Sequence, residues 1–523
     1  MKKCATAFGV LAISTLGTFA AAAPAAGKLE PDDLPPPQPE AVNNPPAVDT
    51  PAVPGFELPA MPPGLHSPRE LRVRGKALLG TDIKVAGYVT WAFDCPAQLA
   101  AANPAVTRAQ VLAAIDNDPA VCPLGRFNLG DAKTTSQDAS LSVFDLPRPP
   151  SKKDREQLAK DKNPLPVLPK VAVGDYVVVT GSLTTKSSRG DVDPNGLLIF
   201  RSLERTAPPS APPAAQAVAP EPEIAVVTKA PLRPKISDVV RNKSADHQNA
   251  CVKGVNQRLY DAAIAECQLA TKVWAGNHVA WYSLASAHMA KSEWPEAVTA
   301  IERAVTLRPD QGMYQLYHGI SLYEAAHRAQ GRAANESKPG EATAPFNLDT
   351  ASDALRRAIK LAPDLWRGHY YLSKIYRERG DSKLAAEQLT ATIKANPAYR
   401  YGYIALIELY RAWDYLDQSV AVTQLGIANV PAPETAELWF ELGMIYVSRR
   451  APDQAIDAFG KAIAGKPDDF TSKFQRGQLY FRKGDYANAK RDLDEVMKST
   501  DPGIASVKPV AQQMLTQIAS KPH

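Results

Sequence analysis

Hydrophobic positions in the second half of the chain recur with a period of 34 residues. Two complete copies of the pattern occupy residues 278–311 and 436–469. In each copy Trp stands at position 4, Leu at position 7, a small residue at position 8, Ala at position 20 and Pro at position 32. Apolar spacings of three and four residues predict two amphipathic helices per copy, and the proline ends the second helix.

This pattern is identified as the tetratricopeptide repeat. Five further repeats begin at Ser244, Gly312, Trp366, Arg400 and Phe470, which gives seven. The resemblance implies an all-α solenoid over residues 238–523, with an interruption of the third repeat around residues 330–345. Because the last repeat leaves an apolar face uncovered, the segment Val507 to Ile518 is predicted to be a capping helix.

Residues 69–205 contain short runs of alternating or β-branched character separated by turns, which predict an all-β domain. Their order resembles the OB fold, a small β-barrel. Three motifs carry the resemblance: V-x-G-x-V from Val85, F-x-L-x-D from Phe127, and G-D-x-V-x-V-x-G from Gly174. A predicted helical insert at residues 106–117 and a polar segment at 147–170 depart from that family, so no ligand is carried over from it.

Five aromatic residues of this domain are candidates for base-stacking platforms, as in OB domains that bind single strands. The simpler interpretation is that most of them belong to the barrel core. They are Trp91, Phe93, Phe127, Phe144 and Tyr176. The net charge of +5 and the mixed-sign charges after Lys152 argue against a polyanion track. Nucleic acid is therefore not expected as a partner.

Two proline-rich stretches divide the chain of 523 residues and 46 prolines. We interpret residues 28–68 and 206–237 as linkers, the second extended and accessible to proteases. Residues 1–27 read as a signal peptide, with a positive start, an apolar stretch and small residues in A-x-A spacing. A membrane anchor is the alternative, although the apolar stretch is short for a span. The sequence thus predicts an exported protein of a bacterial periplasm or envelope, without a transmembrane segment in the mature chain.

Without the leader, four cysteines remain, two in each folded block. In an oxidising compartment the local pairs Cys95 with Cys122 and Cys251 with Cys267 are the economical prediction, and buried free thiols are the alternative. Neither pair has C-x-x-C spacing, and no histidine cluster accompanies them. No metal site is predicted.

Motifs for catalysis or cofactor binding are not found in the sequence: it lacks a nucleophile elbow, an H-E-x-x-H helix, a Walker loop and a dinucleotide-binding glycine pattern. Four of the eight histidines occupy repeat positions that packing alone explains: His247, His288, His318 and His369. We therefore expect no catalytic residue and no cofactor.

The tetratricopeptide resemblance implies a concave groove lined by positions 2, 5, 9, 12 and 13 of each first helix. Those positions predict an aromatic groove with a basic middle. Its candidate partner-binding residues are Tyr282, Tyr323, Arg367, Tyr370, Lys374, Arg377, Tyr401, Arg411, Phe440 and Phe474. The alternative for any of the aromatics is packing against a neighbouring repeat.

A groove of this composition suits a protein or peptide segment that carries acidic and apolar residues. The carboxylate clamp of some members of the family is not reproduced at position 9. The expected function is a non-catalytic envelope adaptor that holds a protein partner. The alternative is an envelope module whose OB-like domain binds a small molecule or glycan, with the repeats as its scaffold.

Overall fold

A computed structural model describes most of the chain. It covers residues 48–59, 61–102, 106–122, 124–136, 139–161, 171–188, 190–208, 222–229, 231, 236–335 and 346–520. The predicted signal peptide and part of each predicted linker lie outside these residues. The described chain divides into two compact units, which we name the barrel unit, within residues 55–217 and 404–523, and the central unit, within residues 48–54 and 218–403.

The N-terminal part of the barrel unit is a closed five-stranded β-barrel with a short sixth strand at its side. The strands are β1 (Leu65–His66), β2 (Asp82–Ala92), β3 (Gly125–Gly130), β4 (Leu141–Leu146), β5 (Tyr176–Lys186) and β6 (Val192–Arg205). All five predicted strands are present. The two-residue β1 and the helix α1 (Pro68–Arg74) were not predicted, because they lie at the border of the proline-rich stretch.

The barrel closes through β2, because this strand of eleven residues pairs with two other strands. Its second half pairs with β3 and its first half with β5, both antiparallel. The other pairs are β3 with β4 and β5 with β6, antiparallel, and β4 with β6, parallel. This order is the one that the OB resemblance implies. Gly181 marks a register shift in β5, where a side chain would collide with the carbonyl of Ile199.

Alternate residues of the strands fill the barrel with aliphatic side chains. The fully buried members include Val85, Val89, Leu129 and Val179. Among the five candidate aromatics only Phe127 belongs to this core. Trp91, Phe93, Phe144 and Tyr176 are half-buried, so the expectation that most of them lie in the core is wrong.

The insert between β2 and β3 contains two helices, α2 (Cys95–Ala102) and α3 (Arg108–Asn117). The second was predicted from its sequence, and Thr107 and Gln110 form a capping box at its start. A disulfide joins Cys95 to Cys122, so the insert is closed at its base as predicted. A further helix, α4 (Lys152–Lys160), lies in the polar segment after β4.

Helix pairs make up the rest of the described chain. In the central unit they are α5 (Asp238–Asn256) with α6 (Tyr260–Val273), α7 (His278–Ala290) with α8 (Trp294–Leu307), α9 (Gly312–Asn335) with α10 (Leu348–Leu361), and α11 (Trp366–Arg379) with α12 (Ser382–Ala395). The fifth pair starts with α13 (Arg400–Ala412), whose first turn belongs to the central unit and whose remainder belongs to the barrel unit. The barrel unit also contains α14 (Leu416–Asn429), α15 (Ala436–Ser448) with α16 (Pro452–Gly465), α17 (Phe470–Lys483) with α18 (Tyr486–Lys498), and α19 (Lys508–Ala519).

These bounds confirm the seven predicted repeats and the predicted capping helix. In the first pair a disulfide joins Cys251 of α5 to Cys267 of α6, as predicted. At the other end, α19 covers an apolar cluster that contains Phe474, Leu493 and Val496. None of the helices in the described part of the chain is long and apolar enough to span a bilayer.

Inside the barrel unit, Phe56 is buried in a socket of three aromatic residues at the turn between α13 and α14. Its ring centroid lies 5.9 Å from that of Tyr410, 5.1 Å from that of Trp413 and 5.4 Å from that of Tyr415. The backbone of Phe56 also hydrogen-bonds to Tyr415. Phe56 has a φ of 53°, a conformation that a bulky residue adopts only when its surroundings hold it there.

Two contacts from the barrel side support this socket. The guanidinium of Arg69 lies 5.7 Å from the ring centroid of Trp413, and the backbone N–H of Ser136 donates to Asp414 at 3.4 Å. The fifth repeat therefore packs against the barrel domain. This interface was not predicted, because Phe56 lies in a stretch interpreted as a linker.

We expect Phe56→Ala to destabilise the barrel unit by about 3 kcal/mol, because it empties a buried aromatic site. Urea unfolding followed by circular dichroism would measure the effect. Val192→Ala, at an exposed valine of the barrel unit, is the control and should change the midpoint little. Equal midpoints for Phe56→Ala and Val192→Ala would show that the socket does not hold the fifth repeat on the barrel domain.

Candidate functional site

Five tyrosines of the central unit form a continuous series of ring contacts, which we name the tyrosine surface: Tyr323, Tyr370, Tyr371, Tyr399 and Tyr401. The ring centroids of Tyr323 and Tyr371 are 5.5 Å apart, and those of Tyr370 and Tyr371 are 6.1 Å apart. Tyr399 then contacts Tyr370 at 5.2 Å and Tyr401 at 5.5 Å. The series spans α9, α11 and the start of α13.

Cationic side chains lie over these rings. The ammonium of Lys374 is 4.8 Å from the ring centroid of Tyr370, 4.6 Å from that of Tyr371 and 5.8 Å from that of Tyr323. Arg400 lies 4.2 Å over the ring of Tyr401 and donates to its hydroxyl. Because the face of an aromatic ring is electron-rich, these contacts hold the positive charges against the tyrosines.

Glu378 is the acidic partner at one end of the tyrosine surface. The hydroxyl of Tyr323 donates to its Oε1 at 2.7 Å, and Nε2 of His327 lies 3.1 Å from the same oxygen. Burial, followed by the charge of Glu378, raises the pKa of Tyr323 above its usual range. The hydrogen bond to Glu378 raises the pKa of His327 above its ordinary value.

The helix pairs match the family model of the tetratricopeptide repeat over residues 255–312, 347–400 and 440–503. The helical part of this chain consists of tetratricopeptide repeats. A comparison with curated proteins finds no match.

Several solved structures are similar to this chain at low sequence identity. A tetratricopeptide repeat protein from Parabacteroides merdae is 11% identical, with 53% of this chain and 100% of that chain covered at a TM-score of 0.35. PilF of Pseudomonas aeruginosa is 12% identical, with 47% and 100% covered at a TM-score of 0.36. MamA is 24% identical, with 29% and 86% covered at a TM-score of 0.26.

The tetratricopeptide positions predicted for the groove divide into accessible and internal residues. In the central unit Arg377 is exposed, and Lys374, Tyr370 and Tyr401 are half-buried. Arg367 and Tyr323 are buried, and the guanidinium of Arg367 stacks over Trp366 at 4.3 Å. Tyr282 of the second tetratricopeptide repeat packs against Tyr314 and Tyr317, at 4.9 Å and 4.6 Å between ring centroids.

The predicted groove residues of the barrel unit are engaged inside the protein. Arg411 donates to Glu441 at 2.8 Å, and both side chains are largely buried. Phe440 is half-buried and packs against Phe459. Phe474 is 1% exposed and belongs to the apolar cluster under the capping helix. We therefore leave Arg411 and Phe474 out of the binding surface.

Sequence reasoning missed three residues of the tyrosine surface and its cations. Tyr399 is the last residue of its tetratricopeptide repeat, Arg400 is the first of the next, and Tyr371 stands at position 6 of α11. None of these positions belongs to the set assigned to the groove. The sequence signal for Tyr399 and Arg400 is the run Tyr399-Arg400-Tyr401, which places an arginine between two tyrosines at a turn.

The repeat histidines were predicted to be explained by packing alone, but three of them make polar contacts to neighbouring side chains. Nδ1 of His247 lies 2.7 Å from Glu266, and Nδ1 of His288 lies 2.7 Å from Glu293. His369 contacts Gln388 and the carbonyl of Pro363. In the ranges that the structure describes, no group of three or more metal-ligating side chains comes together.

His318 should make the central unit sensitive to acid. Burial, and then the nearby charge of Arg357, lower its pKa to about 4. Between pH 6.5 and pH 4 this histidine is neutral in the folded protein but protonated in the unfolded chain. Proton binding therefore favours the unfolded state in this range. The stability that the neutral histidine contributes is complete above its unfolded pKa, about 6.5, and is lost as the pH falls toward 4.

We expect His318→Gln to remove up to about 3 kcal/mol of the stability difference between pH 7.5 and pH 4. Urea unfolding at the two pH values, followed by circular dichroism, measures this difference for the wild type and the variant. An unchanged difference in the variant would contradict the assignment of His318 as a buried neutral group.

Proposed function

We propose that this protein is a non-catalytic adaptor that holds a protein segment against the tyrosine surface of its central unit. Tetratricopeptide repeats bind proteins and peptides, so the chain is of the protein-interaction type. The observation that carries the more specific proposal is the position of Lys374 over three tyrosine rings, with Arg377 exposed one turn further along α11.

The chemistry of the tyrosine surface favours a segment with acidic and apolar residues. Tyr323, Tyr371 and Tyr399 are buried, so the rings that a ligand can contact are those of Tyr370 and Tyr401. Tyrosine side chains have few rotatable bonds, so they lose little entropy when a ligand binds. Lys374 and Arg377 offer two cations within one turn of α11, where a carboxylate can bind. An acidic residue followed by an apolar one satisfies both features.

We further propose that the adaptor is exported to a bacterial periplasm or envelope. The basic and apolar start of the sequence and the small residues before position 27 support export. The two disulfides, Cys95 with Cys122 and Cys251 with Cys267, also favour this location, because such bonds persist in oxidising compartments.

A second candidate function is ligand binding by the barrel. The guanidinium of Arg126 lies 5.3 Å from the ring centroid of Phe93 and 5.9 Å from that of Phe144, and Trp91 lies 6.5 Å from Phe93. These half-buried residues gather beside the disulfide-closed insert. Aromatic rings beside a fixed cation suit a planar or sugar-like ligand.

Selection of peptides from a random display library tests the adaptor proposal without a known partner. The wild-type protein should enrich peptides that combine acidic with aliphatic or aromatic residues. Lys374→Glu/Arg377→Glu should weaken the selected peptides by about 2 kcal/mol, because two desolvated charge contacts become repulsive.

Arg449→Glu/Lys483→Glu is the matched control, because it reverses two cations at solvent-exposed ion pairs with Asp417 and Asp453. It changes the net charge equally and should leave peptide affinity unchanged. Peptides that bind the wild type and both double variants alike, with all three proteins helical by circular dichroism, would contradict the proposal.

A further inference from the structure

Part of the second proline-rich stretch lies on the helices of the central unit. Residues 222–229 contain no helix or strand. Ile224 and Val226 are half-buried, and the other residues of the segment are exposed. This alternation is typical of an extended segment with one face against a surface. The stretch was predicted to be extended and accessible rather than packed; for residues 222–224 the second part of this prediction is wrong, because they bond to Arg356 and Lys360.

Two cations of α10 hold the backbone and the acidic side chain of the segment. The ammonium of Lys360 donates to Oε1 of Glu223 at 2.7 Å and to the carbonyl of Ile224 at 2.9 Å. Arg356 donates to the carbonyl of Pro222. Glu223 and Lys360 therefore pair by charge, while the main-chain contacts fix the direction of the segment.

Beneath Ile224 the structure contains a cleft of about 440 Å³. Its apolar floor consists of Ile359, Leu372 and Tyr376, and Gln388 of α12 closes one side. Leu372 and Tyr376 are almost completely buried. Ile224 itself lines this cleft, which is open to solvent, so a larger apolar side chain has room beside it.

The cleft and the tyrosine surface occupy different faces of α11. The cleft uses positions 4, 7 and 11 of that helix, whereas the tyrosine surface and its cations use positions 5, 6, 9 and 12. Successive residues of a helix are rotated by about 100°, so the two sets cannot contact the same ligand segment.

We propose that the cleft between α10 and α12 is a second peptide-binding site and that residues 222–229 are its built-in occupant. The external ligand that fits is an extended segment in which an acidic residue precedes a large apolar residue. The acidic residue replaces Glu223 at Lys360, and the apolar residue enters the cleft more deeply than Ile224. This inference goes beyond the proposed function and does not depend on it.

The occupant is held weakly enough to be displaced. Glu223 is 89% exposed in its ion pair, and exposed pairs contribute little to stability. A segment tethered in the same chain has an effective concentration in the millimolar range. If its intrinsic Kd is about 0.1 mM, the tethered segment occupies the cleft about 90% of the time and weakens an external peptide about tenfold.

The test uses fluorescence anisotropy of a labelled peptide with the sequence of residues 221–229, titrated with full-length protein. In the undocked variant, Glu223→Ala/Ile224→Asp, we expect about tenfold tighter binding of this peptide than in the wild type. A peptide with phenylalanine in place of Ile224 should bind the undocked variant more tightly still, because it fills the cleft.

A charge exchange locates the binding site. Adding Lys360→Glu to the undocked variant should abolish binding of the original peptide and permit binding of a peptide in which the glutamate equivalent to Glu223 is lysine. Adding Lys374→Glu/Arg377→Glu to both the wild type and the undocked variant should leave the tenfold difference between these two proteins in place, even if part of the peptide binding at the tyrosine surface is lost. This comparison separates failure of the cleft from failure of the tyrosine surface.

Three results would overturn the inference: equal affinity of the wild type and the undocked variant, binding that does not depend on the charge at residue 360, and a tenfold difference that disappears once Lys374 and Arg377 are reversed in both proteins. Lys360→Glu could lower the stability of the protein and abolish binding for that reason. Binding of the lysine-containing peptide to this variant excludes that explanation, because it requires a folded cleft.

Discussion

Close contact between the two helices of each repeat is the constraint on which the helical part of this protein depends. Position 20 of every repeat is a small residue that is completely buried. These residues are Ala263, Ala297, Ala351, Ala385, Ser419, Ala455 and Ala489. A larger side chain there would push the helices apart. At Gly443, opposite this position in the sixth repeat, an added Cβ would lie 2.5 Å from the ring of Phe459.

This close packing fixes which face of each first helix stays accessible. On α11, Leu372 and Tyr376 turn inward, and Tyr370, Lys374 and Arg377 remain on the other side. The same constraint explains why the charges of the repeats are not equivalent. Arg411 is matched by Glu441 inside the barrel unit, whereas Lys374 is held over tyrosine rings and Arg377 is exposed.

Features with a local signal could be predicted from the sequence. The seven repeats, the capping helix, the barrel strands and both disulfides follow from periodicity, turn residues and cysteine spacing. Strand alternation, however, assigns two faces without saying which is inside. Most of the five candidate aromatics were expected in the core, but Trp91 and Phe144 are half-buried, and Phe144 lies near Arg126.

The contacts that sequence reasoning missed join residues far apart in the chain. Phe56 reaches Trp413, and Glu223 reaches Lys360, from stretches whose proline content indicates only the absence of regular structure. Phe474 illustrates the opposite error, because its repeat position belongs to the groove in the family but here faces the capping helix. Single side chains decide each of these contacts, and no periodic signal marks them.

Site-specific photo-crosslinking in intact cells tests the central claim most directly. A photoreactive tyrosine analogue at Tyr370 keeps the ring in the tyrosine surface, and the same analogue at Tyr260, at the start of α6, is the reference position. The account predicts that a crosslinked protein partner forms from position 370 and not from position 260. Crosslinks from position 260 alone, or from neither position while the protein is folded and abundant, would contradict it.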